Sequence, residues 1–262
     1  MPVEPEQRLA DSEIRLELCE EKDAAIIAES LYSMFPESWW ATKEPLSIRH
    51  PSLETRKARM TKRILPTFRD PRVLVDWVKA VHVPTSTVIG IAGWFAPGCP
   101  LHNPWRRSAV DFYGWKDLMG WSDEEVDEMW SGTDLAGWDD EMAKNDEDRR
   151  RYFDGEEHWF LAPLITWKEW QGKGVGSKLL NWGIEKADRE GVPLYLESAP
   201  TARAVYLHSG FVPLGKVNMV RRGPRVVNAG AVEAEERKRS GEKASVGVAE
   251  TEVKSEVTEV TA

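Results

Sequence analysis

Apolar and polar residues alternate over Ile14-Arg15-Leu16-Glu17-Leu18, the period of a strand with one buried face. The period then lengthens. Ala24, Ile27, Leu31 and Met34 recur at helical spacing behind Asp23, the expected N-cap. Ser52 to Leu65 is a second helical segment, basic and amphipathic, with Met60, Ile64 and Leu65 free to pack. Its Lys and Arg side chains are expected to form a solvated face. Arg72 to Val81 and Thr87 to Phe95 are β-rich runs joined by five residues around Pro84, which predicts a hairpin. Trp159 to Ile165 is a continuous apolar run of strand length, and Val175, Leu179, Leu180, Gly183, Ile184 and Ala187 then give one apolar helical face. Pro193 to Ser198 reads as the next strand, Thr201 to Ser209 as a short helix, and Phe211 to Val217 with Met219 to Val227 as a closing pair of strands.

Between the apolar strand and the long helix lies Gln171-Gly172-Lys173-Gly174-Val175-Gly176. A glycine-rich turn into a helix leaves amide N–H groups unpaired at a helix end whose dipole favours anions. Without a Cβ in the way, a phosphate can approach that backbone. A Walker loop needs Lys and then Ser or Thr after its last glycine, yet Gly176 is followed by Ser177-Lys178. A dinucleotide fingerprint needs a third glycine where Ser177 stands. Taken alone, the six residues also suit a glycine-rich connection that binds nothing.

The spacing Gln-x-x-Gly-x-Gly resembles the pyrophosphate loop of the GNAT superfamily of acetyl-coenzyme A dependent N-acetyltransferases. The string Tyr206-x-x-x-Gly210-Phe211 resembles the far end of the same core. The order of helices and strands is also similar from end to end. The resemblance implies an α/β fold with a central twisted mixed sheet of about six to seven strands flanked by helices. It implies acetyl-CoA as co-substrate and no metal. Backbone amides around Leu164, Ile165 and Thr166 would hold the pantetheine. Gln171, Gly172, Lys173, Gly174, Val175, Gly176 and Ser177 would hold the pyrophosphate. A proline within a central strand belongs at a bulge or splay, and Pro163 falls where GNAT folds open the slot that admits the coenzyme.

Acetyl transfer also needs an acid for the leaving thiolate and a route for the amine's proton. The resemblance makes Tyr206 the candidate acid; a phenol is protonated at neutral pH and can donate to sulfur. In the arylalkylamine-type branch, imidazoles stand at alternate positions of the strand before the loop, but here those positions are Phe160 and Ala162. Glu197, on the same side of its strand as Tyr195, is the candidate base; His158 and Glu157 lie further up the preceding strand. The expected function is transfer of an acetyl group to a primary amine, on a small molecule or an exposed amino group. The alternative is a catalytically silent acyl-CoA-binding or interaction module on the same scaffold, kept open by Phe160 and Ala162.

Residues 96–157 depart from a minimal core of this kind. The segment is acidic and carries Trp105, Trp115, Trp121, Trp130 and Trp138. Ser122 with Glu125 is a capping box for a short helix, and a further helix is expected from Asp139 to Tyr152. So many indoles must pack on something, as a satellite cluster at a sheet edge or as a wall over the acceptor site. The expectation is one domain over residues 1–228 with this insert, followed by a disordered tail over 229–262, where aromatics are lacking.

Composition narrows the partners. A net charge of −9 argues against general affinity for nucleic acid or anionic membrane and suits a cationic amine. Cys19 and Cys99 match no metal spacing and are expected to be reduced thiols. No apolar run reaches membrane-spanning length, and a cytoplasmic (or nuclear) protein is expected. Pairing of two copies as a homodimer is left open.

Overall fold

The computed structural model describes residues 8–223; the expected tail over 229–262, and the end of the closing strand beyond 223, lie outside the described residues. The first half builds β1 (Ile14–Leu18), α1 (Ala24–Met34), α2 (Glu37–Lys43), α3 (Leu53–Ile64), α4 (Pro66–Arg69), β2 (Val75–His82) and β3 (Thr87–Phe95). Four helices follow in the insert: α5 (Ala109–Phe112), α6 (Trp115–Met119), α7 (Asp123–Trp130) and α8 (Leu135–Phe153). The remainder is β4 (Trp159–Thr166), α9 (Val175–Glu190), β5 (Leu194–Glu197), α10 (Arg203–His208), β6 (Val212–Pro213) and β7 (Asn218–Arg221).

The strands form one seven-stranded sheet in the order β1-β2-β3-β4-β5-β7-β6. Only β4 and β5 pair in parallel; every other neighbour is antiparallel. The mixed α/β architecture expected from the sequence is therefore observed. Two cores sandwich the sheet. On one face α1, α3 and the insert pack on Trp77, Ile91, Phe95, Phe160, Ile165 and Tyr195. On the other, α9 and Tyr206 of α10 pack on Val78, Ala92, Trp94, Leu161, Leu194 and Leu196. Alternate residues of β4 and β5 thus feed opposite cores, as strand geometry requires.

Several boundaries differ from the sequence reading for local reasons. Asp23 does not cap α1 with its side chain. Its carboxylate accepts the Glu20 amide at 2.8 Å and Lys79 Nζ at 2.7 Å, fixing the turn ahead of the helix. Strand β2 starts at Val75 because Arg72 is held in a turn by the Asp70 carboxylate, which also accepts the Trp115 indole N–H at 2.8 Å. The basic face of α3 is only partly solvated. Arg56 is buried against Glu44, and Arg63 donates from Nε to the Met129 carbonyl at 2.9 Å. These arginines tie α3 to neighbouring helices rather than facing water. The capping box of α7 forms as expected, with the Glu125 amide donating to Ser122 Oγ at 3.2 Å and the Ser122 amide to Glu125 at 3.0 Å. Helix α8 begins earlier than expected, because Asp134 caps it by accepting the Gly137 amide at 3.1 Å.

Candidate functional site

The site is built around a separation of two strands. β4 and β5 pair only from Trp159 opposite Leu194 to Leu161 opposite Leu196. Beyond Leu161, β4 continues to Thr166 on β3 alone, after a register shift opposite Ala92–Trp94 that falls at Ala162-Pro163. A gap therefore opens along the β5 side of residues 162–166. Trp167 donates its amide to the Ile89 carbonyl at 3.2 Å. Strand alternation then turns the amides of Leu164 and Thr166 away from β3, towards the gap, and that of Ile165 into the β3 ladder.

The glycine-rich turn closes onto the end of this gap. A 3-10 turn over Lys168–Trp170 leads to Gln171, whose side-chain amide donates to the Thr166 carbonyl at 3.1 Å and fixes the start of the loop. Gly172 and Gly174 adopt φ of 77° and 89°, left-handed values that favour glycine. Gly174 precedes α9 and no side chain caps it. The first intrahelical bond runs from the Lys178 amide to the Gly174 carbonyl at 3.1 Å, so the amides of Val175, Gly176 and Ser177 have no acceptor within the helix. The segment before β1 lies across this loop. Leu9 donates its amide to the Lys173 carbonyl at 3.2 Å, and Arg8 brings its Nε to 3.2 Å from where a Cβ on Gly174 would stand. Beside the loop is a cleft of about 320 Å³ lined by Arg8, Asp11, Lys173, Ser177, Lys178 and Asn181. Open amides, a helix dipole and the cations of Arg8 and Lys173 are the features that suit a phosphate, while Lys178 is held by Asp11 at 3.1 Å.

The second candidate, Glu197, ends β5 on the insert side of the sheet, where Tyr195 also points. Its Oε1 is fully buried without a hydrogen-bond partner. Burial pushes this carboxyl up to about 7, while the Arg149 cation and the Tyr195 hydroxyl pull the other way. Tyr195 itself is buried and accepts the Asn218 side-chain amide at 2.6 Å. The last part of α8 packs over Phe160 and Tyr195 on this side of the sheet. Arg149 lies 4.2 Å above the Phe160 ring, Phe153 meets the Tyr195 ring edge-on at 5.6 Å, and Tyr152 donates to the Leu214 carbonyl at 3.3 Å. His158 is not free to serve the gap. Its ring stacks on Phe153 at 3.8 Å, Nδ1 donates to the Glu156 carbonyl at 2.8 Å, and burial lowers its pKa to about 4. Glu157 is exposed.

Tyr206 stands in the core on the other face of the sheet, 8% exposed, with the Phe211 ring 5.7 Å away. Burial raises its phenol to about 12, so it stays protonated through the neutral range. The two candidate catalytic residues thus lie on opposite faces of the sheet.

The insert divides into two parts. Trp115, Trp130 and Trp138 are buried with Trp40 and Tyr113 in the core they share with the sheet, and Trp138 donates to the Trp105 carbonyl at 2.6 Å. Two of its acids hold its own backbone. Asp139 accepts the amides of Arg107 and Ser108 at 2.6 and 3.1 Å, and Asp146 accepts that of Asn103 at 2.9 Å. Sequence reasoning missed Arg149 and Arg8. Asp146, Arg149 and Phe153, spaced three and four apart, mark the buried face of α8 and were the available signal for Arg149. Among the described residues no cluster of His, Cys, Asp and Glu could hold a metal, and no helix is long and apolar enough to cross a membrane.

Residues 151–228 match the family model of the acetyltransferase (GNAT) domain. Among solved structures, the chain is similar to a histone acetyltransferase HPA2-related acetyltransferase from Corynebacterium glutamicum, at 18% identity over 82% of this chain and 99% of that one, with a TM-score of 0.49. It is similar to the acetyltransferase AAC(6')-Ib in complex with acetyl-CoA and an aminoglycoside, at 19% identity over 80% of this chain and 93% of that one, TM-score 0.44. A GNAT-family acetyltransferase from Brucella melitensis bound to acetyl-CoA matches at 13% identity over 81% and 90%, TM-score 0.40. The matched segment holds β4, the glycine-rich loop, α9 and Tyr206, so the likeness to the acetyltransferase (GNAT) domain falls on the residues that build this site.

Proposed function

We propose that the protein transfers the acetyl group of acetyl-CoA to a primary amine by direct attack on the thioester. One observation carries this reading: the gap between β4 and β5 ends at the uncapped N-terminus of α9. A chain with a pyrophosphate at one end and a thioester at the other fits that layout. The amides of Val175, Gly176 and Ser177 take the pyrophosphate, the loop from Gln171 to Gly174 shapes the cradle, and Lys173 and Arg8 add positive charge. The amides of Leu164 and Thr166 face the pantetheine, while Ile165 anchors their strand to β3.

In the chemical step the amine nitrogen attacks the thioester carbonyl. The C–N bond forms, the amine's proton passes to Glu197 directly or through one water, and the C–S bond breaks. The departing thiolate takes the Tyr206 phenolic proton. A carboxyl that titrates near 7 is a well-matched base at neutral pH, and a phenol held protonated is a matched acid. Phe160 keeps the second reading, a silent coenzyme-binding module, in view, since it fills the place of an imidazole with an apolar ring under Arg149.

Calorimetric titration with acetyl-CoA tests the cradle. Wild type binds, and Gly174→Asp, which sets a carboxylate among the phosphate-facing amides, loses binding while keeping its circular dichroism spectrum. Absence of binding by wild type would overturn the assignment. Binding with no turnover across an amine library would leave the silent module as the correct reading.

A further inference from the structure

Arg149 is a buried cation that the packing of the fold does not explain. It is 5% exposed, on α8, with its guanidinium over the Phe160 ring. Its Nε is buried without a hydrogen-bond partner, and among the described residues it forms no ion pair. The carboxylate one turn earlier, Asp146, is occupied by the Asn103 amide at 2.9 Å and by Arg106 at 3.4 Å. The other buried arginines of this face are tied to partners, Arg56 to the Glu44 carboxylate, and Arg63 to the Met129 carbonyl and to Thr133 Oγ1 at 3.0 Å. A guanidinium nitrogen buried without an acceptor is costly, and a carboxylate arriving beside it would offset that cost.

The group of opposite sign nearby is equally incomplete. Glu197 follows Tyr195 on β5, and the Tyr195 ring lies 5.7 Å from Phe160. Arg149 thus lies above Phe160, and Glu197 ends the neighbouring strand two residues beyond Tyr195, close enough for the two charges to influence one another yet not paired. A guanidinium is a planar fork that matches a carboxylate with two parallel hydrogen bonds, and an aromatic ring beneath it holds the fork in plane.

We propose that the acceptor is an amine that itself carries a carboxylate, an amino-acid-like zwitterion whose carboxylate sits on Arg149 while its amine meets Glu197. This rests on the transferase reading and names its substrate class. It also departs from the expectation, drawn from net charge, of a purely cationic amine. A second ammonium group would face Arg149, and the insert's Asp139 and Asp146, which could have received it, hold the insert's own amides.

The test compares amino acids having between one and four carbons from amine to carboxylate with alkylamines of equal length. At least one amino acid is expected to exceed its alkylamine in kcat/KM by about tenfold or more. The ratio collapses towards unity in Arg149→Met and is partly kept in Arg149→Lys, both variants binding acetyl-CoA as wild type does. A wild-type preference for plain alkylamines, or a preference that survives in Arg149→Met, would overturn the proposal. Binding of N-acetyl amino acids to the CoA-loaded protein, followed by ligand-observed NMR, decides the matter independently of turnover. Carboxylate-dependent binding lost in Arg149→Met upholds the site even if the transferase reading fails, and its absence in wild type sinks the site. Should Arg149→Met not fold, Arg149→Lys and Arg149→Gln carry the comparison.

Discussion

Glu197 keeps its proton further up the pH scale than a free glutamate because the gap takes its carboxylate out of water and Arg149 compensates only in part. For catalysis this sets an acid limb: the base works once deprotonated, so kcat/KM rises with pH through about 7. Glu197→Gln is expected to lower kcat by about a hundredfold and to abolish that limb. For stability the sign is opposite. Between 4.5 and about 7 the folded protein holds a proton that the unfolded chain releases, so stability falls as pH rises through that window. The deficit, at most about 3 kcal/mol, is complete above it and absent below 4.5. Glu197→Gln should therefore melt at a higher temperature than wild type at pH 8 and equally with it at pH 4 by differential scanning calorimetry. Tyr206→Phe is expected to lower kcat by at least about tenfold with an unchanged dissociation constant for acetyl-CoA; unchanged turnover would remove Tyr206 as the acid. Glu197 was singled out in the sequence by its strand alternation with Tyr195, and Tyr206 by the resemblance of Tyr206-x-x-x-Gly210-Phe211 to the family's core. Arg149 was not, because the charged run from Lys144 to Arg151 looks like a solvated helix until the sheet is placed against one side of it.

The elements around the loop were read well because their signals are backbone requirements. Glycines with left-handed φ end or begin α9 at Gly174 and Gly191, where sequence placed the turn and the stop. Gly183 has a different reason. A Cβ there would fall 2.4 Å from the Trp94 indole, so glycine lets α9 lie close on β3. Gly183→Ala is expected to cost about 1–3 kcal/mol in urea unfolding and, by lifting α9, to weaken coenzyme binding as well. The last strands were read less well. Phe211 to Val217 yields only Val212–Pro213 as strand, since Leu214 and Gly215 both turn their amides to the Asn218 carbonyl. Such a tight turn consumes residues whose side-chain pattern alone still looks extended. Among the helices, the charges on α3 misled, because burial of Arg56 and Arg63 depends on partners far along the chain, Glu44 on one side and Met129 on the other.

For the molecule as a whole, the insert is not an appendage. Its Tyr113, Trp115, Met129, Trp130 and Trp138 belong to the same buried cluster as Trp77, Ile91 and Phe95 of the sheet, and Trp39 of α2 reaches Trp138 at 5.8 Å. Replacing residues 96–157 by a short linker should therefore leave a chain without a cooperative thermal transition. A deletion that still melts cooperatively would show the indoles to be a separable satellite. Which of those roles the tryptophans play was undecidable from their count, since composition says that they must pack but not on what. The same face carries Arg149 and Phe153 over Phe160 and Tyr195, so under the proposed function the part of the chain least like a minimal core would choose the acceptor.

The strap before β1 has a bearing on how the protein is handled. Leu9 is bonded to the carbonyl of Lys173 and Arg8 covers Gly174, so the strap is tied directly to the glycine-rich loop. If that loop holds a coenzyme as proposed, changes at Arg8 or Leu9 act on the cradle itself, and a purification handle is better carried at the opposite terminus.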